Sequence, residues 1–172
     1  MRKRGRVIST LLFAGLLCCP AAWSQDEPPA MVKGQSGATL ATPVDRVMCA
    51  EDGIAVDGYD LISYREPGGP VAGNPDYSAD HAGFTYLFSS AENLTTFVGD
   101  PERYVPSYHG FCAVTLALGR VVCPDSTNFV IQGDRLFLFE VTGFTNGRTL
   151  WNTDPATFRG KADRNFDSLT IQ

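Results

Sequence analysis

Phe84-Thr85-Tyr86-Leu87-Phe88-Ser89-Ser90, then Asp100-Pro101-Glu102-Arg103-Tyr104, then Tyr108-His109-Gly110-Phe111-Cys112-Ala113: this stretch decides how the chain folds. Phe84 to Phe88 reads as a strand. Ser89, with Glu92 three residues on, forms a capping box for a helix whose apolar face is Leu94, Phe97 and Val98. Cys112 to Leu118 reads as another helix, ended by Gly119. Upstream, Gly53 to Val56 is a short strand. There Gly58-Tyr59-Asp60 turns into a short helix through Leu61, Ile62 and Tyr64, stopped by Pro67-Gly68-Gly69-Pro70. Asp60 is placed to cap that helix, and Gly58 before it allows a positive φ. Downstream, Phe129-Val130-Ile131 and Leu136 to Phe139 form a hairpin through Gln132-Gly133-Asp134-Arg135, and a last helix runs from Asp154 to about Phe166. The sum is α+β: one small domain of antiparallel strands and hairpins with interspersed short helices. Phe97 to Tyr104 and Leu150 to Phe158 share an aromatic, an Asp-Pro and a second aromatic. Each is read as a helix start, not as a duplication.

The N-terminus has a different composition. Arg2, Lys3, Arg4 and Arg6 precede an apolar run from Val7 to Cys19, and Ala22-Trp23-Ser24 places small residues where a signal peptidase reads. The run is shorter than the ~20 residues a membrane-spanning helix needs. A signal peptide over 1–24, cut after Ser24, and a periplasmic or secreted product are expected, with no transmembrane segment after cleavage. A lipoprotein signal is the rival, because Cys18 and Cys19 end the run, although neither follows a small residue. Residues 25–47, with Pro28, Pro29, Gly34, Ser36 and Gly37, carry too little apolar surface to offset ordering and read as a flexible tether. The domain proper is 48–172. Cleavage removes four basic groups and no acid, so the formal charge moves from −5 to −9. Such acidity disfavours nucleic acid, which is held by Lys and Arg. A cationic ligand is mildly favoured.

Three thiols remain after cleavage, Cys49, Cys112 and Cys123, and two histidines, His81 and His109. Cys112 follows His109 by three residues, with Gly110 between them to turn the backbone. Imidazole plus thiolate is a soft pair suited to copper or zinc. Further ligands would have to come from His81, Met48, Cys49, Cys123, a carboxylate or Tyr108. The other readings of Cys112 are a small buried hydrophobe at a loop-to-helix junction and a redox or nucleophilic thiol. His81 is expected to be solvated in the Asp80-His81-Ala82-Gly83 turn. Tyr59, Asp60 and Tyr108 could converge with Cys112 on a small ligand. No phosphate-cradling glycine loop, Gly-x-Ser-x-Gly elbow, His-Glu-x-x-His or Cys-x-x-Cys occurs.

The ordered set Gly58-Tyr59-Asp60 and Tyr64, Asp100-Pro101 and Tyr104, and Cys112 resembles the YHS-domain family in its longer, exported bacterial form, over about Gly53 to Phe166. In the family's short form two cysteines, one after the strand aromatic and one four residues on, are the usual reason to expect metal. The matching positions here are Ser89 and Asn93, so a thiolate site from the short form does not carry over. The resemblance also sorts the thiols, since Cys112 falls where the exported form usually has cysteine and Cys49 and Cys123 do not. It implies a disulfide between Cys49 and Cys123, with Cys112–Cys123 as the rival. The function expected is an exported binding domain, for a transition metal such as copper or for a small ligand, through Cys112 and His109. A thiol-based redox protein using Cys112, and a protein-interaction or structural module, are the alternatives. An enzyme is unsupported, because no third group orienting Cys112 and His109 can be read.

Overall fold

The computed structural model describes residues 38–39 and 49–169. The expected signal peptide, the remainder of the tether and Met48 lie outside them. Where the chain is described it is α+β. The strands are β1 (Ala38–Thr39), β2 (Ala50–Glu51), β3 (Ile54–Ala55), β4 (Asn74–His81), β5 (Phe84–Phe88), β6 (Arg120–Val121), β7 (Asp125–Gln132), β8 (Arg135–Phe139), β9 (Val141–Thr142) and β10 (Thr145–Asn146). The α-helices are α1 (Ala91–Gly99), α2 (Pro101–Tyr104), α3 (Ala113–Ala117), α4 (Gly147–Trp151) and α5 (Pro155–Asp167), and short 3-10 helices span Val56–Gly58, Ser63–Arg65 and Ser107–Gly110. Ala38 and Thr39, inside the expected tether, pair with β6.

A four-stranded sheet has the order β2-β3-β5-β4, and β7 pairs with β8 in a separate hairpin. All these pairings are antiparallel except β3 with β5, where Ile54 meets Thr85 in parallel register. The expected strands at Phe84–Phe88 and in the Gly133-Asp134 hairpin are present. β4 is an addition, and so is the β9–β10 hairpin.

Burial divides into two clusters. The first holds Leu61, Tyr64, Phe84, Tyr86, Phe88 and Phe97 with Leu136 and Leu138; the second holds Phe111, Cys112, Leu116, Phe137, Phe139 and Trp151. β8 therefore sends alternate side chains into both cores, as a strand's two-residue period requires. Within each cluster a helical aromatic rests on two strand aromatics. Phe97 lies 5.1 Å from Tyr86 and 4.9 Å from Phe88, and Trp151 lies 4.8 Å from Phe137 and 5.4 Å from Phe139.

The Cys49–Cys123 disulfide is formed, with 5.5 Å between the Cα atoms and a sequence separation of 74. It ties β2 to the loop after β6. Cys112 is the free cysteine among the described residues.

Two expectations are corrected. Ser89 does not cap α1: the cap is Ser90, whose Oγ accepts from the Asn93 amide at 3.1 Å. Ser89 is drawn instead to the Asp60 carboxylate. Nor is His81 solvated in a turn. It ends β4, with Nε2 3.0 Å from Glu102 Oε1 and its ring edge-on to Phe97 at 6.0 Å.

Candidate functional site

Asp60 and Cys112 stand at matching points of the backbone, each after a left-handed turn. Val56, Asp57 and Gly58 have φ of 54, 52 and 77°, and Tyr108, His109 and Gly110 have 60, 51 and 78°. A non-glycine residue in that region costs roughly 1–2 kcal/mol. Burial of Val56 and Tyr108 holds the two turns in place. Each turn leads into an aromatic and then into the residue of interest, Gly58-Tyr59-Asp60 and Gly110-Phe111-Cys112.

Asp60 is fully buried and fully used. Its Oδ1 accepts from the Ile62 amide at 2.8 Å, the helix-capping role read from the sequence. Its Oδ2 accepts from the Ser89 amide at 2.9 Å, Ser89 Oγ at 2.6 Å and Asn93 Nδ2 at 2.7 Å. Burial alone would raise this carboxyl's pKa. The hydrogen bonds from Asn93, Ser89 and Ile62 outweigh it and hold the group below the usual carboxylate range. Ser89 and Asn93 thus serve a buried anion.

Cys112 is also fully buried. Its amide donates to Val122 O at 2.9 Å, as the Asp60 amide donates to Val71 O at 2.9 Å. Cys112 borders a pocket of about 220 Å³. Val114, Leu118 and Leu150 supply apolar wall, Arg120 and Glu140 charge, and Gly147 faces the thiol. A Cβ built on Gly147 would lie 3.6 Å from Cys112 Sγ. Leu118, itself in the lining, and Val141 and Phe144, close in sequence to other lining residues, are exposed.

None of Tyr59, Asp60, Tyr108 or His109 lines this pocket. Tyr59 bridges to Ala72 and packs on the first core. Tyr108 donates to Asp163 Oδ1 at 2.8 Å under Arg135, whose guanidinium carbon lies 5.2 Å from the ring centroid. Burial and the bond to Asp163 push its phenol well above the ordinary tyrosine pKa, against the opposing pull of Arg135. The His109 ring stands edge-on to Phe166, 5.1 Å between centroids. Cys49 and Cys123 are consumed by the disulfide, and no group of three or more His, Cys, Asp or Glu placed to hold a metal occurs among the described residues. No helix among those residues is long and apolar enough to cross a membrane.

Comparison with protein-family models, with curated proteins and with solved structures found no match. The pocket's charged and glycine lining, Arg120, Glu140 and Gly147, was not read from the sequence. A signal was there for one of them: setting Asp100-Pro101 over Asp154-Pro155 brings Gly147 opposite Asn93.

Proposed function

We propose that this protein is an exported, non-catalytic binding module of the YHS type, whose small ligand enters the pocket over Cys112. The observation that carries the proposal is a pocket of about 220 Å³ beside the buried Cys112, lined by apolar side chains with one acid, Glu140, and one base, Arg120. Ligand sites are typically concave and mostly apolar, with a few polar groups that fix orientation. A reactive thiol needs access to its attacking partner, and Cys112 has 0% exposure, so the redox reading has less support. Export agrees with a disulfide in a small domain, since such bonds persist in oxidising compartments.

Native mass spectrometry tests the reading, on the mature chain purified without reductant and incubated with a low-mass extract of its host's export compartment. A non-covalent small-molecule adduct is expected on the wild type and not on Leu150→Trp, in which the indole fills the pocket. Bare wild-type protein overturns the reading, and so does an adduct that Leu150→Trp retains.

A further inference from the structure

We propose that the chain is two copies of one structural unit, and that the pocket over Cys112 is the unit's ligand seat, open in the second copy to a small zwitterion of the amino-acid class. The ligand class rests on the pocket reading above; the duplication does not.

The two hairpins follow one plan. β4 and β7 each have eight residues, β5 and β8 each have five, and both hairpins close on two residues, Ala82-Gly83 and Gly133-Asp134. Both carry an irregularity at the same place: Asn74 pairs with Phe88 before the register resumes at Ser78 with Leu87, and Asp125 pairs with Phe139 before it resumes at Phe129 with Leu138. Each hairpin is followed by a helix bearing the buried aromatic Phe97 or Trp151. Each then has an Asp-Pro start whose aspartate has nearly the same backbone angles, φ −159°, ψ 74° at Asp100 and φ −158°, ψ 76° at Asp154. The left-handed turns match as well, and Ser63 Oγ donates to Asp60 O as Thr115 Oγ1 donates to Cys112 O. Simple helix-start chemistry accounts for the Asp-Pro pair but not for equal hairpins with equal irregularities.

Superposing the copies by these landmarks identifies the seat. Ser89 follows Phe88 as Glu140 follows Phe139. Asn93 precedes Phe97 by four residues as Gly147 precedes Trp151. In the first copy the Ser89 hydroxyl and Asn93 carboxamide reach Asp60 and fill the seat with the chain's own donors. In the second, Gly147 has no side chain to send toward Cys112 and packs closely there, a Cβ on it meeting Phe139 Cβ at 3.1 Å and Glu140 O at 3.2 Å, while the pocket beside it takes its carboxylate from Glu140. Among the described residues neither the Glu140 carboxylate nor the Arg120 guanidinium has an ion-pair partner. One ligand can answer both: an ammonium for Glu140 and a carboxylate for Arg120. Its small side chain would lie on Leu118 and Leu150. A pocket of about 220 Å³ suits a small amino acid.

Calorimetric titration of the oxidised mature chain tests this with L-alanine, propionate and ethylamine, the last two lacking the ammonium and the carboxylate respectively. L-alanine is expected to bind at least tenfold more tightly than either. Glu140→Gln and Arg120→Met are each expected to weaken it tenfold or more without moving the thermal midpoint of the free protein. Equal binding of all three probes, or indifference to both substitutions, overturns the ligand class. If L-alanine fails while native mass spectrometry still finds an adduct that Leu150→Trp abolishes, the class falls and the pocket reading stands. If neither is seen, both fall. The equivalence of the seats has its own test. Asn93→Gly empties the first seat, and acetamide is expected to raise the thermal midpoint of this variant above its effect on the wild type. Equal effects overturn the duplication of the seat.

Discussion

Asp60 shows how one residue carries two structural duties. Its near duty, capping the helix two residues on, is local and could be read from Gly58-Tyr59-Asp60 alone. Its far duty, holding Ser89 and Asn93, spans 29 and 33 residues and is set only by packing. Because its folded pKa is lowered, the unfolded state binds the proton more readily. Its contribution is therefore complete at neutral pH and is lost as pH falls below the unfolded value of about 3.9 toward the folded one. Asp60→Asn is expected to cost about 3 kcal/mol at pH 7, since buried donors at Ser89 and Asn93 lose an ionic acceptor. Urea melts between pH 2.5 and 7 should show that loss. The variant's stability should also fall less steeply than the wild type's at the acid end.

Among the elements, β4 explains why a strand escaped a reading that found its partner. Pro75, Asp76 and Asp80 are poor strand formers, yet β4 is the edge of its sheet, where a proline need not donate to a neighbour. The edge also settles a glycine. A Cβ on Gly73, just before β4, would lie 2.5 Å from Leu87 Cβ and 2.6 Å from its carbonyl carbon. Gly73→Ala is expected to cost about 2–3 kcal/mol, as overpacking against backbone does. Gly133→Ala, with nothing near its Cβ, should cost about 1 kcal/mol for its left-handed φ of 62°. Equilibrium denaturation of the pair decides this; equal losses would contradict the close approach of Gly73 to β5.

At the scale of the molecule, β8 makes two similar halves into one folding unit, because Leu136 and Leu138 belong to the first core and Phe137 and Phe139 to the second. The disulfide adds a covalent tie across 74 residues, worth roughly 4 kcal/mol on the chain-entropy model. Reduction is expected to lower the calorimetric midpoint while leaving a single transition; two resolved transitions would show that β8 does not couple the cores. The sequence by itself determined the α+β class, the Phe84–Phe88 strand, the Gly133-Asp134 hairpin, the Asp60 cap and the two Asp-Pro helix starts. All of these are signals within a few residues of one another. The placement of Cys49 beside Cys123 agreed with a resemblance, since nothing local couples them. Only the tertiary structure decided that Ser89 and Asn93 serve Asp60, that His81 leans on Phe97, that His109 turns to Phe166, and that Glu140, Arg120 and Gly147 line one pocket with Cys112. These are meetings of residues far apart in the chain, and two cores packed on both faces of one strand bring them about.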